Sequence, residues 1–416
     1  MVYSAYKYMK LNNIAYRIMH DKNFLLGYNT YYNKTFIYLY YLFISGGFKM
    51  KMKKIVALMA TVAMTASLLV GCAGGGNDDK GTASEGKETP KTEVSVGLST
   101  DEGGLNDKSF NQSADEGVKR AEKEFGVKYT PIEAQKKEDY EPNLQSLIDG
   151  GSDLTLAIGF QLADAVKAVA GNNPDSKLCI IDSEVKDASN VMSITFKEEE
   201  GSFLMGVIAG LTTKTNKVGF IGGKDFDTIN KFESGFAAGV KAVNPEAAAG
   251  LISADGKNPG TTVKYADSFA DTNKGKELAT SLYGAGCDVI YHAAGGCGIG
   301  LFQATKELKE AGKDVWAIGV DMDQAVSLPE FKDVILSSMM KRVDNATYDA
   351  TKAVIDGTFK AGHVELGIAE GGVGMAETTK NNTAPDVIKK AEEFEAQIKD
   401  GKIKVPATRQ EVIDFK

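Results

Sequence analysis

The sequence predicts an α/β fold of two similar lobes, each a parallel sheet flanked by helices, with a ligand cleft between them. From about Glu93 onward, short apolar runs alternate with segments of helical period. The pattern recurs once within the chain, so two units of the same design are expected. Residues suited to holding a small molecule fall just after the apolar runs, where open α/β sheets bind ligands.

The chain before Glu93 has a different character. Residues 1–49 are rich in Tyr, Asn, Ile and Lys and show neither helical nor strand period. Ser45-Gly-Gly-Phe-Lys-Met50 is what a ribosome-binding sequence would yield if translated, so the start is expected at Met50 or Met52. Residues 50–71 read as a secretory leader, with a basic start, a short apolar core and a small residue before cleavage. Leu69-Val-Gly-Cys72 resembles the bacterial lipobox, in which the cysteine becomes the lipidated first residue of the mature protein. The apolar run is brief for a membrane span. Acyl chains on Cys72 would anchor rather than thread the chain, which places the mature protein on the extracytoplasmic face of the cell membrane. Residues 72–92 are mainly Gly, Asp, Lys, Glu, Ser and Thr, with little to bury, and read as a flexible tether.

The folded part is expected over 93–416, with one lobe mainly 93–215, a second mainly 216–340, and crossovers and a C-terminal segment over 341–416. Strands are expected at 94–99, 154–158, 178–181, 193–197, 218–221, 289–292, 315–320 and 334–338. Helices are expected at 113–125, 140–148, 162–169, 198–211, 229–243, 274–283, 301–311 and 343–355. In the first half a strand ends at Gly159-Phe160 and the next at Asp182. In the second half a strand ends at Gly295-Gly296 and the next at Asp321. Each half then carries a short strand ending in lysine, Lys197 and Lys341. Lobes of this design usually exchange segments, so more than one crossover is expected. The segment 376–416 reads as a polar helix and tail with no evident docking site.

Composition narrows the function. A net charge of −8 without a basic stripe argues against nucleic acid. The cysteines Cys179, Cys287 and Cys297 lack metal or redox spacing, and with only 3 histidines a histidine-based triad or metal site is poorly supplied. No nucleophile elbow, zinc-protease motif or Walker loop is present. Gly295-Gly-Cys-Gly-Ile-Gly300 follows a strand and opens a helix, but its glycines miss the dinucleotide spacing. No cofactor and no metal are expected.

The central stretch is Thr100-Asp-Glu-Gly-Gly-Leu-Asn-Asp-Lys-Ser-Phe-Asn-Gln112, between a strand and a helix. It combines Asp101, Asn106 and Asn111 with the ring of Phe110, a set suited to a small, flat, polar ligand. It also reads as a helix start capped by Asp107 or Ser109, with Phe110 packed on the sheet. Asp182 and Asp321, at strand ends, either cap helices or accept hydrogen bonds from a ligand, strengthened by charge. Lys341 stands at a helix start, against the dipole, and forms with Asp321 a candidate pair to orient a sugar ring. Phe232 and Phe269 sit in polar surroundings, and either can face Phe110 across a planar guest. Stacking of a base on an aromatic ring is worth about 1–3 kcal/mol. His292 reads as a strand-end residue packed near the cleft.

These motifs resemble those of a known family. Asn106-Asp-Lys-Ser-Phe-Asn-Gln112, Phe232-Glu-Ser-Gly-Phe-Ala-Ala-Gly-Val240, Gly275-Lys-Glu-Leu-Ala279, Ala293-Ala-Gly-Gly-Cys-Gly-Ile-Gly300, Ile318-Gly-Val-Asp-Met-Asp-Gln324 and Ser338-Met-Met-Lys-Arg-Val-Asp344 occur in one order. From about Ser95 to Met375 the chain resembles the basic membrane protein family of bacterial lipoproteins. That family is similar to type I periplasmic binding proteins and includes purine nucleoside receptors of ABC importers. The resemblance implies a nucleoside between the lobes, its base stacked on Phe110 and its edge read by Asp182. It further implies that Asp321, Lys341 and the backbone at Gly295 and Gly296 hold the ribose, and that Asp101, Asn106 and Asn111 line the first lobe. It implies a permease partner and no enzymatic step, and the opening cleft suggests a monomer. Two departures bear on the choice of ligand: Gly222-Gly-Lys-Asp-Phe-Asp-Thr228 lacks the family's proline, and Cys297 replaces a small hydroxyl residue. The competing readings are a nucleoside hydrolase, an enzyme using the glycine loop for a dinucleotide, and a surface adhesin or antigen.

Overall fold

The computed structural model describes residues 94–416. The segments 1–49, 50–71 and 72–92, with the expected start, leader, lipidated Cys72 and tether, lie outside the described residues.

The first lobe contains β1 (Ser95–Ser99), α1 (Phe110–Phe125), β2 (Lys128–Ile132), α2 (Tyr140–Asp149), β3 (Leu154–Ile158), α3 (Ala163–Asn172), β4 (Leu178–Ile181) and β5 (Val191–Phe196). Helix α4 (Glu198–Thr212) leads into the second lobe. That lobe contains β6 (Val218–Gly222), α5 (Asp227–Val243), β7 (Val263–Tyr265), α6 (Thr272–Gly284), β8 (Val289–Ala293), α7 (Gly298–Glu310), β9 (Trp316–Asp321) and β10 (Ile335–Lys341). The chain then recrosses through α8 (Val343–Ile355) to β11 (Gly362–Leu366) and returns to β12 (Val373–Met375). It ends with α9 (Pro385–Lys399) and α10 (Arg409–Asp414).

Each lobe has a 6-stranded sheet, in the orders β11-β5-β4-β3-β1-β2 and β12-β10-β9-β8-β6-β7. All pairings are parallel except β10 with β12. Strands β3, β4, β6 and β8 are buried at every residue, which is why they read as unbroken apolar runs. The carboxyl ends of β3, β4, β8, β9 and β10 deliver Gly159, Asp182, Gly295, Asp321 and Lys341 to one common space.

The chain passes between the sheets after β5, after β10 and after β11, and the connecting segments run side by side. The Lys197 amide donates to the Leu366 carbonyl at 3.0 Å, and the Arg342 amide to the Gly372 carbonyl at 2.8 Å. The Ile368 amide donates to Glu200 Oε2 at 2.8 Å. Although α4 follows a first-lobe strand, it packs against α5 of the second lobe. Although α8 follows a second-lobe strand, it packs against α1, where Thr347 Oγ1 donates to the Ala114 carbonyl at 2.9 Å.

The α4–α5 contact brings backbone against backbone. A side chain at Gly206 would overlap the Phe236 carbonyl, and one at Gly239 the Phe203 carbonyl. The C-terminal segment, which showed no docking site in the sequence, covers this pair. Phe394 on α9 and Phe415 meet Phe203 edge-on at 5.4 and 5.9 Å. Arg409 forks onto the buried Glu233 of α5 with hydrogen bonds of 2.8 and 2.7 Å. Among the described residues no helix is long and apolar enough to cross a membrane.

Gly239→Val must push these helices apart or unseat a carbonyl. It is expected to lower unfolding free energy by about 1–3 kcal/mol or more, read as a lower denaturant midpoint by circular dichroism.

Candidate functional site

The strand ends of both lobes converge on a narrow cleft. From the first lobe come Asp101, Asp107, Phe110, Asn111, Gly159, Phe160 and Asp182. From the second come Ile229, Phe232, Phe269, Ala293, Ala294, Gly295, Val320, Asp321 and Lys341.

Most residues singled out in the sequence therefore meet here. Asn106 does not: it is exposed and outside the lining, whereas its neighbour Asp107 is buried and inside it. Gly296 is buried beside the lining, close to the Phe269 carbonyl. Lys197, the repeat counterpart of Lys341, is partly exposed and pairs with Glu200 at 3.4 Å instead of facing the cavity. Phe232 and Phe269 both line the space. Phe232 is almost fully buried on α5, while Phe269 meets Phe160 edge-on at 6.2 Å.

The N-terminus of α1 is organised by Asp107. Its carboxylate accepts the backbone N–H of Ser109, Asn111 and Gln112 at 2.9, 2.8 and 3.0 Å, so the capping reading holds for a residue that also lines the cavity. Burial pushes its pKa up to about 7 against those hydrogen bonds. Asn111 Nδ2 donates to Asp101 Oδ1 at 2.7 Å, which aims the amide and carboxylate together.

Asp182 and Asp321 occupy corresponding places in the two lobes and share an unusual backbone. Their φ angles are 70° and 64°, in the left-handed region that non-glycine residues seldom adopt. Such strain concentrates at binding and catalytic sites, where the surroundings hold it. Burial raises the pKa of both carboxyls, while the Lys341 charge opposes the rise.

Lys341 is the most constrained side chain of the site, with 1 % exposure. Its ammonium lies 2.5 Å from Asp182 Oδ2 and 3.1 Å from Glu198 Oε1. The rings of Phe110, Phe196 and Phe232 stand 5.1, 5.1 and 5.3 Å away. Burial alone would lower its pKa, but the charges of Asp182, Glu198 and Asp321 outweigh burial and hold it above the ordinary lysine value. The second oxygen of Asp182, Oδ1, is buried without a protein partner.

The lobes touch around the rim. Ser109 Oγ donates to Asp321 Oδ2, and Gln324 Nε2 donates to the Lys108 carbonyl at 3.0 Å. On the other side, Lys224 Nζ lies 2.6 Å from Glu102 Oε1 and donates to Gln161 Oε1 at 2.9 Å. Phe226 meets Phe160 at 5.3 Å. His292 is packed near the cleft and bonded to Gln324 at 2.9 Å; burial pushes its pKa down to about 4, so the ring is neutral. Cys297 donates its thiol to the Ser268 carbonyl at 3.1 Å, and burial raises its pKa to about 11, which keeps it an unreactive thiol. Among the described residues no group of His, Cys, Asp and Glu is arranged to hold a metal ion.

Sequence reasoning missed Phe160, Glu198 and Gln324 as members of this neighbourhood. Phe160 had a signal, its place at a strand end beside Gly159. Glu198 and Gln324 carried none beyond helix-forming context.

Two lobes joined by three crossovers, with carboxylates at strand tips and a cleft between, form the architecture of type I solute-binding proteins. The family model described as "ABC transporter substrate-binding protein PnrA-like" matches residues 94–409. The chain belongs to that family. Its relatives include a protein named CD4+ T-cell-stimulating antigen from Listeria innocua, 40% identical over 85% of this chain and 99% of that protein. A protein named ABC transporter nucleoside-binding protein BmpA, from Lactococcus lactis, is 38% identical over 85% of this chain and 99% of its own length. A solved solute-binding protein of an ABC transporter system from Aeropyrum pernix superposes with a TM-score of 0.67 at 29% identity, covering 77% of this chain and 96% of that one. The PnrA-like family consists of binding proteins, which sets aside the hydrolase and dinucleotide readings.

Lys341→Met would leave Asp182 and Glu198 buried without their cation. It is expected to destabilise the fold by about 3–5 kcal/mol, measured by denaturant unfolding. Lys341→Met with Asp182→Asn should recover part of that loss.

Proposed function

We propose that this protein is the lipid-anchored receptor of an ABC importer and that it binds a purine nucleoside in the interlobe cavity. The observation that carries the reading is the meeting of Phe110, Asp182, Asp321 and Lys341 in one cleft, with Asp182 Oδ1 left as a buried acceptor. A nucleoside matches these features part by part. The base stacks on Phe110, with Phe232 and Phe269 closing the opposite side. Its ring N–H and amino donors face Asp182. The ribose hydroxyls donate to Asp321 and to Asp101 with Asn111, beside the Gly295 backbone. Lys341 is already shared between Asp182 and Glu198, so it offers little to a phosphate. The name of the lactococcal relative supports the same ligand class.

The ligand leaves unaltered. Closure around it presents both lobes to a membrane permease, as hinge-closing receptors do. Acylated Cys72 and the tether over 72–92 keep the receptor, working as a monomer, at the extracytoplasmic face. Cys72→Ala is expected to release the protein from the membrane fraction, read by immunoblot of fractionated cells.

The central test is thermal unfolding of the tether-free protein with inosine, guanosine, adenosine, cytidine and ribose. A purine nucleoside at about 100 times its Kd should add roughly 2.7 kcal/mol of stability, and chromatography should recover it intact. No shift with any purine nucleoside would overturn the reading. Phe110→Ala should weaken binding about 5- to 150-fold, the equivalent of one lost stack, while the unliganded protein still melts cooperatively. Unchanged affinity would remove Phe110 from the stacking role.

A further inference from the structure

Glu198 does not line the cavity, yet it holds the residue that does. It is the first residue of α4, at the point where the chain first passes from one sheet to the other. Its side chain is 2 % exposed. One oxygen, Oε1, lies 3.1 Å from Lys341 Nζ, and the other, Oε2, lies 3.4 Å from Lys231 Nζ on α5. Lys231 also donates to the Phe196 carbonyl at 3.0 Å and lies 3.8 Å from Glu365 on β11. Charges of alternating sign thus run Asp182, Lys341, Glu198, Lys231, Glu365. The row begins at the cavity and ends at the edge strand of the first sheet, passing the crossover segments on the way.

Two physical consequences follow from this placement. If Asp182 were the only anion beside Lys341, its whole carboxylate would be drawn to the ammonium. With Glu198 sharing the cation, Oδ1 of Asp182 stays free of protein partners. The row passes from one lobe to the other between Asp182 and Lys341 and again between Lys231 and Glu365, so a rotation about the crossovers must stretch it. We infer that Glu198 is a positioning residue for ligand binding, fixing Lys341 at the cavity wall and tying Asp182 to the crossover segments through shared charge. The inference rests on the nucleoside reading only for its affinity measurement.

The charged and titratable groups around Glu198 are Lys341 on β10, Lys231 on α5, Glu199 and Glu200 on its own helix, Glu365 on β11, Asp182 and Asp321 at the strand tips, and Tyr291 on β8. The negative charge of Glu198 is one of the influences that raise the pKa of Asp182 and Asp321, after burial. Because Asp182 accepts hydrogen bonds more strongly when ionised, binding weakens as pH falls through its raised pKa. Removing the Glu198 charge lowers that pKa and moves the acid limb to lower pH.

The test uses Glu198→Gln and Glu198→Asp in the full chain. Carboxyl 13C NMR follows the titration of Asp182 without ligand, and calorimetry with inosine and guanosine follows affinity against pH. Glu198→Gln should shift the Asp182 midpoint to lower pH and reduce neutral-pH affinity about 10- to 100-fold, the range of one lost charged hydrogen bond. Glu198→Asp should return the midpoint towards wild type and restore part of the affinity. Wild-type values for Glu198→Gln in both measurements would overturn the inference. If the Gln variant fails to fold, the Asp variant decides through affinity: affinity equal to wild type would overturn a positioning role that depends on side-chain reach, and a partial loss would support it. If wild type binds neither nucleoside, the nucleoside reading fails, while the NMR titration still tests the link between Glu198 and Asp182.

Discussion

A single buried ammonium sets the terms for the centre of this protein. Moving Lys341 out of water is expensive unless opposite charge and hydrogen bonding accompany it. The partners must therefore arrive from different parts of the chain: Asp182 from the tip of β4, Glu198 from the first crossover, and three phenylalanine faces from β5, α1 and α5. Because those parts belong to both lobes and to the connection between them, satisfying one lysine fixes the relative position of all three. Three carboxylates around one cation leave an excess of negative charge, and burial answers by raising the pKa of Asp182 and Asp321. The cavity is thereby biased towards ligands that donate hydrogen bonds.

The left-handed backbone at Asp182 and Asp321 explains how two carboxylates reach one space from separate sheets. A strand that ended in ordinary extended geometry would continue past the cleft. At φ of 70° and 64° the chain turns sharply, and aspartate is among the few non-glycine types that tolerate the turn. The same device in both lobes accounts for the internal repeat, since each lobe meets the same geometric requirement. The repeat then breaks at its last member. Lys341 is buried and shared between two carboxylates, whereas Lys197 sits at the partly exposed junction of the crossovers. One cation suffices for a single cavity, and a second would have required further buried anions.

Legibility followed burial. Every interior strand was visible as an apolar run, because both of its faces are covered. The strands that left no signal, β2, β7, β11 and β12, are the edges of the two sheets. Strand β2 carries Pro131, tolerable only where one side of the ladder is unpaired, and most of β11 is exposed. At the site, Phe110, Asp182, Asp321 and Lys341 were readable because each ends an apolar run or begins a helix. Glu198 was not, because a glutamate in the first turn of a helix is ordinary and only the fold brings Lys341 to it. Asn106 was misplaced by one residue: the buried carboxylate that caps α1 is Asp107, and capping requires that side chain to turn inwards while Asn106 turns out. Docking of the C-terminal helices depends on Arg409 finding Glu233, a pairing 176 residues apart that no local pattern encodes.

The crossovers determine what kind of motion remains. One connection would let the lobes twist as well as open. Here the connecting segments are hydrogen-bonded to one another through Lys197, Arg342 and the loop 366–372, so they bend as a strap and favour rotation about one axis. Helices α4 and α8 each pack on the lobe opposite to the strand they follow, which removes slack from two of the passages. Against that hinge, the rim contacts that opening would break are few and mostly polar: Ser109 with Asp321, Gln324 with Lys108, and Lys224 with Glu102 and Gln161. Water can replace the partly exposed contacts of Lys224 when the rim parts, so those weigh little between open and closed forms. Beyond the buried Lys341–Asp182 pair, which the same rotation must stretch, the difference comes from what fills the cavity, since a ligand shifts such an equilibrium only by its unequal affinity for the two states. A guest that bridges Phe110 and Asp182 on one lobe to Asp321 and Phe232 on the other has that inequality built in, because only the closed arrangement lets it meet both sets at once.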